Sequence, residues 1–441
     1  MATRIPRRFR QLISLFSLLF GLIGASGSQA QSYQFFRVLG PGGQQSNVPI
    51  GQVALAGNGQ VLAFNNASGG VFGGGASGAQ LVALDLVSAS FSLASTTAGG
   101  APSANATAAD RPALSADGRY IAFETNSATW TGGLAGVHLV RIDRQSREAR
   151  LLNLTTAGSL PGATLSALGG LSADGRFAVF TSAAAQLVSG DPGNSSNSVF
   201  VRDAELGLSE RIDLAVGGGA GNGGSFGELP SISADGRYVA FASTATNLVS
   251  PPPTTTGTQR IWLRDRLTQA TRLLSVGPGG VDLTGAGNAA LSADGRLLVF
   301  RSNAAASGTS QLWVRRLADS AAIAVPAASG GGRCDAARIS NSGLVIARCR
   351  QSQPGLPSQV YAWSLQQPTQ PLALLSGSDA GNTVPGNGNS GASLALSADG
   401  RVIAFESDAS DLVGGDSNAA TDVFMYLDPS VLDALFADGF E

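Results

Sequence analysis

The sequence predicts an all-β fold: a seven-bladed β-propeller of four-stranded antiparallel blades, with its ring closed by the N-terminal strand completing the last blade. Three observations predict it. The string Ser-Ala-Asp-Gly-Arg occurs five times, at residues 115–119, 172–176, 233–237, 292–296 and 397–401, and degenerate copies at 56–60 and 340–344 fill the gaps. One structural unit therefore repeats seven times. The residues around each copy alternate apolar and polar and are rich in β-branched and aromatic side chains, which is the period of strands rather than helices. The start of the chain also carries a strand that the seventh unit lacks.

Residues 1–30 read as a secretory signal peptide. Arg4, Arg7, Arg8 and Arg10 make a basic start, an apolar run covers 12–23, and Ser28-Gln29-Ala30 offers a small-residue cleavage site after Ala30. Arg7-Arg8 raises the twin-arginine route, but Phe9 falls one place too early, so general secretion is favoured. The run is too short for a membrane span, and no second one follows. The mature chain is expected to be exported, to the periplasm or the extracellular space, with no transmembrane segment.

Residues 31–428 are expected to form the propeller. In each unit a first strand ends in Leu or Ile at Leu55, Leu114, Leu171, Ile232, Leu291, Ile339 or Leu396, spaced by 59, 57, 61, 59, 48 and 57 residues. The Ser-Ala-Asp-Gly turn follows. Ser and Asp side chains bind nearby backbone N–H groups and Gly supplies a positive φ, so a structural role is favoured for Asp117, Asp174, Asp235, Asp294 and Asp399. The second strand is clearest at Tyr120-Ile121-Ala122-Phe123, the third at Val199 to Asp203 and Ile261 to Asp265, and the fourth at Arg272-Leu273-Leu274. Four strands joined mostly by short hairpins make a blade. The length in excess of a usual blade lies in loops rich in Gly, Ser, Asn, Thr and Pro, such as 217–227 and 251–257.

The seventh unit has strands ending at Leu396, near 402–406 and at 423–427, then runs into Asp428-Pro429 without a fourth. Phe35-Phe36-Arg37-Val38-Leu39-Gly40-Pro41-Gly42-Gly43 resembles the fourth strand and exit loop at 271–280. It is expected to complete the last blade and remove an exposed edge. Residues 429–441 are expected to be a short C-terminal tail or helix, capped by Asp428, with Pro429 in its first turn and Val431, Leu432, Leu435 and Phe436 on its packing face.

Composition narrows the function. All 28 basic residues are Arg, against 30 acidic ones. Without the four arginines of the signal the balance is 24 to 30, a net charge near −6. A mildly acidic chain without a basic patch argues against a nucleic-acid partner. The two cysteines, Cys334 and Cys349, stand six residues either side of the 340–343 turn. In a hairpin that puts them opposite each other within about one residue. An exported protein with one such pair is expected to form a disulfide, with two buried thiols as the alternative.

Ser233-Ala234-Asp235-Gly236-Arg237-Tyr238-Val239-Ala240-Phe241 closely matches a Ser-x-Asp-Gly turn followed by an apolar strand ending in Phe. Over residues 33–428 the chain resembles the TolB-type, WD-like propeller repeat. The resemblance implies the propeller fold. Such propellers serve as adaptors, as substrate-gating domains of peptidases and as stand-alone envelope proteins, so it implies no single function. With neither a hydrolase domain nor a separate N-terminal domain of the translocation type, a stand-alone protein is expected. The residues 435–441 resemble a short terminal motif of exported proteins in some Gram-negative bacteria.

Candidate chemistry is sparse. His138, the single histidine, begins a third strand. Gln80, Ser198, Arg260, Gln311, Gln359 and Asp422 hold the equivalent places, which fits strand-start polarity at a solvent edge. A catalytic histidine needs a nucleophile and an orienting acid, and none is apparent. Gly223-Gly224-Ser225-Phe226-Gly227 matches a nucleophile elbow, and residues 386–391 match a dinucleotide loop, but neither has the strand-to-helix context required. The polar loop with Asp416, Asn418 and Asp422 offers oxygens suited to calcium; a relative lies at 191–197. Asp and Asn also form such loops without metal. No other cofactor is implied.

Two functions are compatible with this reading. One is a non-catalytic binding or scaffold protein of the bacterial cell envelope, a monomer presenting the loops on one face to an envelope or secreted protein or a small ligand. The other is a carboxylate-dependent hydrolase or lyase acting on glycans or peptides at the channel mouth. The second requires two acids about 5–10 Å apart in one pocket.

Overall fold

The computed structural model describes residues 13–21, 32–41, 43–67, 79–103, 109–162, 165–191, 197–225, 228–253, 255–303, 310–328, 332–351, 353, 355–379, 384–418 and 420–432, with 13–21, 32 and 109–110 described by backbone alone. Its strands form seven antiparallel sheets arranged as the blades of a propeller. The innermost strands are Ile50–Leu55, Ala109–Leu114, Ser166–Leu171, Ser231–Ile232, Gly287–Leu291, Arg333–Ile339 and Ser390–Leu396. Blade 3 shows the full pattern: Ser166–Leu171, Phe177–Ser182, Ser198–Asp203 and Leu208–Arg211, each paired with the next.

The core is divided among the blade interfaces. Phe64, Phe123, Phe180, Phe241, Phe300 and Phe405, one in each second strand except that of blade 6, are almost fully buried in these seams. Burying each contributes on the order of 1.5–3 kcal/mol. Alternation along the strand explains the arrangement, since successive side chains feed the seams on either side of a blade.

The N-terminal strand closes the ring. Ser32–Val38 lies beside Asp422–Leu427 as the fourth strand of blade 7, with Phe35 opposite Tyr426 and Phe36 opposite Met425. Phe36 and Val38 join the core shared with blade 1, while Tyr33 and Phe35 join the core shared with blade 6. The Phe35 ring lies 4.5 Å from that of Tyr426 and 5.5 Å from that of Phe424. Ile13–Gly21 adds a fifth strand outside Ser32–Val38. The proposed cleavage site at 28–30 lies outside the described residues.

The repeated turn works as its residues predict. In blade 2, Ser115 Oγ donates to Asp117 Oδ1 at 2.6 Å, and the Arg119 and Tyr120 N–H groups bind Asp117 and Ser115 at 3.0 and 2.9 Å. Gly118 sits at φ 71°. The alanine of the motif has its own task. Successive turns are linked around the axis: Asn58 N to Ala116 O, Ala116 N to Ala173 O, Ala173 N to Ala234 O and Ala234 N to Ala293 O, then Asp294 N to Asn341 Oδ1, Asn341 N to Ala398 O and Ala398 N to Gly57 O. These bonds, 2.7–2.9 Å long, form a closed belt of seven links. In the degenerate copy of blade 6, the Asn341 side chain supplies one acceptor.

Cys334 and Cys349 are direct cross-strand partners and form a disulfide, with Cα atoms 3.9 Å apart. After Asp428 the chain makes one helical turn, in which Val431 and Leu432 pack on the core between blades 7 and 1. Asp428 accepts from Ser430 N at 2.8 Å. Leu435, Phe436 and the rest of the tail motif lie outside the described residues.

One expectation is corrected. The polar residues that begin the third strands do not face solvent. Gln80, His138, Ser198, Arg260, Gln359 and Asp422 are at most 1% exposed, and Gln311, one place into its strand, is half-buried. Neighbouring segments cover the strand starts, and Gln80, His138, Ser198, Arg260 and Gln359 are hydrogen-bonded there, whereas the Asp422 oxygens are not among the described residues. Gln359, for instance, donates through Nε2 to Gly386 O at 2.9 Å and accepts from Ser376 Oγ through Oε1.

Candidate functional site

Antiparallel blades put the Ser-Ala-Asp-Gly turns on one face and the long loops on the other. On the loop face the structure brings Asp416 and Asp422 together. Asp416 comes from the loop before the third strand of blade 7 and Asp422 begins that strand. Arg37, from the closing strand, places Nη1 3.4 Å from Asp416 and 3.6 Å from Asp422. All three side chains are at most 4% exposed. Asn418 donates to Ser46 O at 2.7 Å and accepts from Ala420 N at 3.2 Å. The positive charge nearest both carboxylates is thus the Arg37 guanidinium. Burial pushes the Asp422 carboxyl up to about 6; Arg37 opposes the shift and Asp416 adds to it. Arg37 Nε and Nη1, Asp416 Oδ1 and both Asp422 oxygens are buried without a hydrogen bond among the described residues.

Blade 3 holds the counterpart. Arg211 donates to Asp191 and Asp213 at 2.9 Å each and to Ser198 at 2.7 Å. Register makes the two arginines equivalent: Arg211 pairs with Phe200 and Arg37 with Phe424, each two residues after the start of a third strand. Ser225, the centre of the elbow-like motif, is buried and donates to Asp213 Oδ2 at 3.1 Å. It serves this clamp. Residues 192–196, 226 and 227 lie outside the described residues.

His138 is fully buried, with Nδ1 3.3 Å from Asn153 Nδ2. Burial lowers its pKa, which favours the neutral ring. Among the described residues no group of three or more His, Cys, Asp or Glu side chains is arranged to hold a metal ion.

The axial channel is the second candidate. At the turn end the seven repeat anchors, Leu55 to Leu396, converge as an apolar collar around a cavity of about 560 Å³. A polar cavity of about 260 Å³ is lined by residues from every blade, including Gln52, Arg111, Asn288, Asp335, Arg338 and Arg348. Arg338 lines both. Its side chain is open to the lumen yet enclosed by protein, and this desolvation lowers its pKa; an arginine stays charged nonetheless.

Acids around the innermost strands are bound to the neighbouring blade or to arginines. Glu406 of blade 7 accepts from Gln52 N of blade 1 at 2.6 Å. Glu124 of blade 2 accepts from Leu168 N of blade 3 at 2.9 Å and pairs with Arg111 at 3.2 Å. Glu228 accepts from Asn288 N at 3.0 Å and pairs with Arg301 at 2.5 Å. Asp335 pairs with Arg348 at 2.6 Å and Arg350 at 3.0 Å. Sequence reasoning missed these acids and the clamp arginines.

The turn face carries a third feature, a groove of about 810 Å³ bordered by Arg237, Arg272, Arg296 and Arg316, with Asp235 and Asp294. In blades 2, 3 and 4 the motif arginine pairs at 2.7 Å with an Asp ending the third strand. Arg316 holds that place in blade 5, opposite Leu297, and leaves Arg296 84% exposed. Asp235 and Asp294 each bind their own turn through Oδ1.

No protein-family profile matches the chain, and no curated protein matches its sequence. Solved structures do. An oligogalacturonate lyase in complex with manganese superposes at TM-score 0.54 with 14% identity, over 95% of this chain and 97% of that one. The β-propeller domain of the Trilobed protease from Pyrococcus furiosus gives 0.51 and 10%, over 86% and 92%. TolB from Acinetobacter baumannii gives 0.41 and 13%, over 86% and 80%. At these identities the likeness establishes the propeller fold and distant similarity to propellers of diverse function.

Proposed function

We propose that the chain is a non-catalytic, TolB-like binding or scaffold protein of the bacterial cell envelope, exported by residues 1–30 and acting as a monomer. It presents the long loops of one face to a protein or a small ligand. The observation that carries this reading is the commitment of the acids around the innermost strands. Glu124, Glu228, Glu406 and Asp335 are each bound to an arginine, to the backbone of the next blade, or to both. An acid so bound has its oxygens committed to the protein and is poorly placed to carry a proton for a substrate. The competing hydrolase or lyase needs two acids free to face one substrate. Asp235 and Asp294 share the turn-face groove, but both brace their turns.

A crosslinking pull-down from native envelope, with the chain from residue 31 onward as bait, tests this. A stoichiometric partner with crosslinks on the long loops is expected. A blank with folded bait, together with hydrolysis or elimination of an envelope glycan or peptide that Asp294→Asn abolishes, would transfer the assignment to the enzyme.

A further inference from the structure

Six blades carry a small residue immediately before the repeat anchor: Ala54, Ala113, Gly170, Ser231, Ala290 and Ala395. Blade 6 carries Arg338. The seven-fold pattern of the channel is therefore broken at one place, and by a cation. The guanidinium donates to Ala337 O at 2.9 Å, and no acid among the described residues lies within ion-pair distance of it. The other two arginines of the inner cavity, Arg111 and Arg348, have acid partners.

A second observation converges on the same cavity. Gln52, Arg111 and Asn288 adopt φ of 54°, 50° and 50°, a left-handed conformation unfavourable for non-glycine residues. Each lies within a bulge of its innermost strand, where the register shifts, and all three line the 260 Å³ cavity. Bulges re-aim side chains, and strain of this kind collects at ligand sites.

We propose that the axial channel binds an organic anion with one carboxylate and an apolar body, its carboxylate on Arg338 and its body in the collar of repeat anchors. The geometry divides the labour. The collar is Leu and Ile from all seven blades, a surface for hydrocarbon. Arg338 lies where the collar meets the polar cavity, and a guanidinium offers a carboxylate a planar pair of donors. The collar cavity is within the usual range for small-ligand sites. This site goes beyond the loop-face reading and requires no partner protein.

The test is calorimetric titration of the purified full-length protein with octanoate, below its micelle concentration. One-to-one saturable binding is expected. Arg338→Ala should weaken it ten-fold or more, the range of a lost charge-assisted hydrogen bond, while Arg338→Lys retains part of it. The alanine variant should fold, because four other blades carry alanine there; its melting curve verifies this. Octanol, which has the body without the charge, and inorganic phosphate, which has a charge without the body, should each bind at least ten-fold more weakly. Arg296→Ala, on the turn face, should bind octanoate as the parent does. Absence of saturable octanoate binding, equal affinity in Arg338→Ala, or phosphate binding as tightly as octanoate would each overturn the proposal. None of these outcomes bears on the loop-face partner, which the pull-down tests separately.

Discussion

Blades 3 and 7 carry the same arginine clamp built two ways. In blade 3, Arg211 is local to its blade, and its three partners Asp191, Asp213 and Ser198 all lie within 20 residues of it. In blade 7, Arg37 comes from the opposite end of the chain. Asp422 replaces Ser198, and Leu39 stands where blade 3 has Asp213. The arginine of blade 3 forms short hydrogen bonds. That of blade 7 stands 3.4 and 3.6 Å from its acids, with buried polar atoms left over. The seam where the ring closes thus combines a large apolar contact and several hydrogen bonds with a loosely paired buried ion cluster. The hydrophobic strand joins the two ends, and the buried ion cluster lies beside that junction.

Removal of the closing strand should have the largest effect. Deleting residues 31–40 removes Tyr33, Phe35, Phe36, Val38 and Leu39, all buried, each worth about 1.5–3 kcal/mol. It also exposes the edge of Asp422–Leu427. The deletion should lose the cooperative melting transition or lower it by tens of degrees, and should aggregate on size exclusion. An unchanged melting temperature would show that the strand does not close the ring.

Breaking the clamps should come next. Arg37→Met and Arg211→Met each leave buried carboxylates without their cation, at a cost of about 3–5 kcal/mol. Urea denaturation at pH 7 measures both. If the clamps differ as their geometry says, lowering the pH toward 5 should relieve Arg37→Met through protonation of Asp422. A flat pH response would mean that Asp422 does not sense Arg37.

The contrast between the clamps also marks what the sequence makes legible. Seven units, the closing role of Phe35 and Phe36, and the pairing of Cys334 with Cys349 follow from local period and register. The clamp of blade 7 does not, because Arg37 and Asp416 are 379 positions apart in the numbering and only closure brings them together. Alternation tells which face of a strand a residue occupies but not what folds over its end, so the polar strand starts looked exposed and proved buried. The loop of Asp416, Asn418 and Asp422 was recognisable as a polar cluster, yet the arginine between its acids was not. Arg338 lay in plain view, since aligning the seven anchors sets it against Ala, Gly and Ser. It has no contact pattern in the sequence to mark it, and its position on the channel axis gives it meaning.

Exchange of the residue that differs between the clamps should have the smallest and most discriminating effect. Asp422 has its carboxyl raised to about 6 in the folded protein, chiefly by burial, against 3.8 as the ordinary value. Between those limits the folded state holds a proton that the unfolded state has released. Stability therefore falls as pH rises from about 4 to about 6, and the full cost is present above the folded value. Asp422→Ser, which gives blade 7 the residue of blade 3, should raise stability at pH 7 by about 1–3 kcal/mol and flatten the dependence between pH 4 and 6. Ser198→Asp is the reciprocal change. It sets a third carboxylate beside Asp191 and Asp213 around one arginine, and should cost about 1–3 kcal/mol at pH 7 with new pH dependence in the acid range. Urea titrations of the parent and both variants at pH 4.5 and 7 read the four differences. Opposite signs for the two exchanges would locate the weakness of the seam in its second acid. If Asp422→Ser destabilises at pH 7, the Arg37–Asp422 attraction outweighs desolvation, and the junction is held by charge as well as by its aromatic strand.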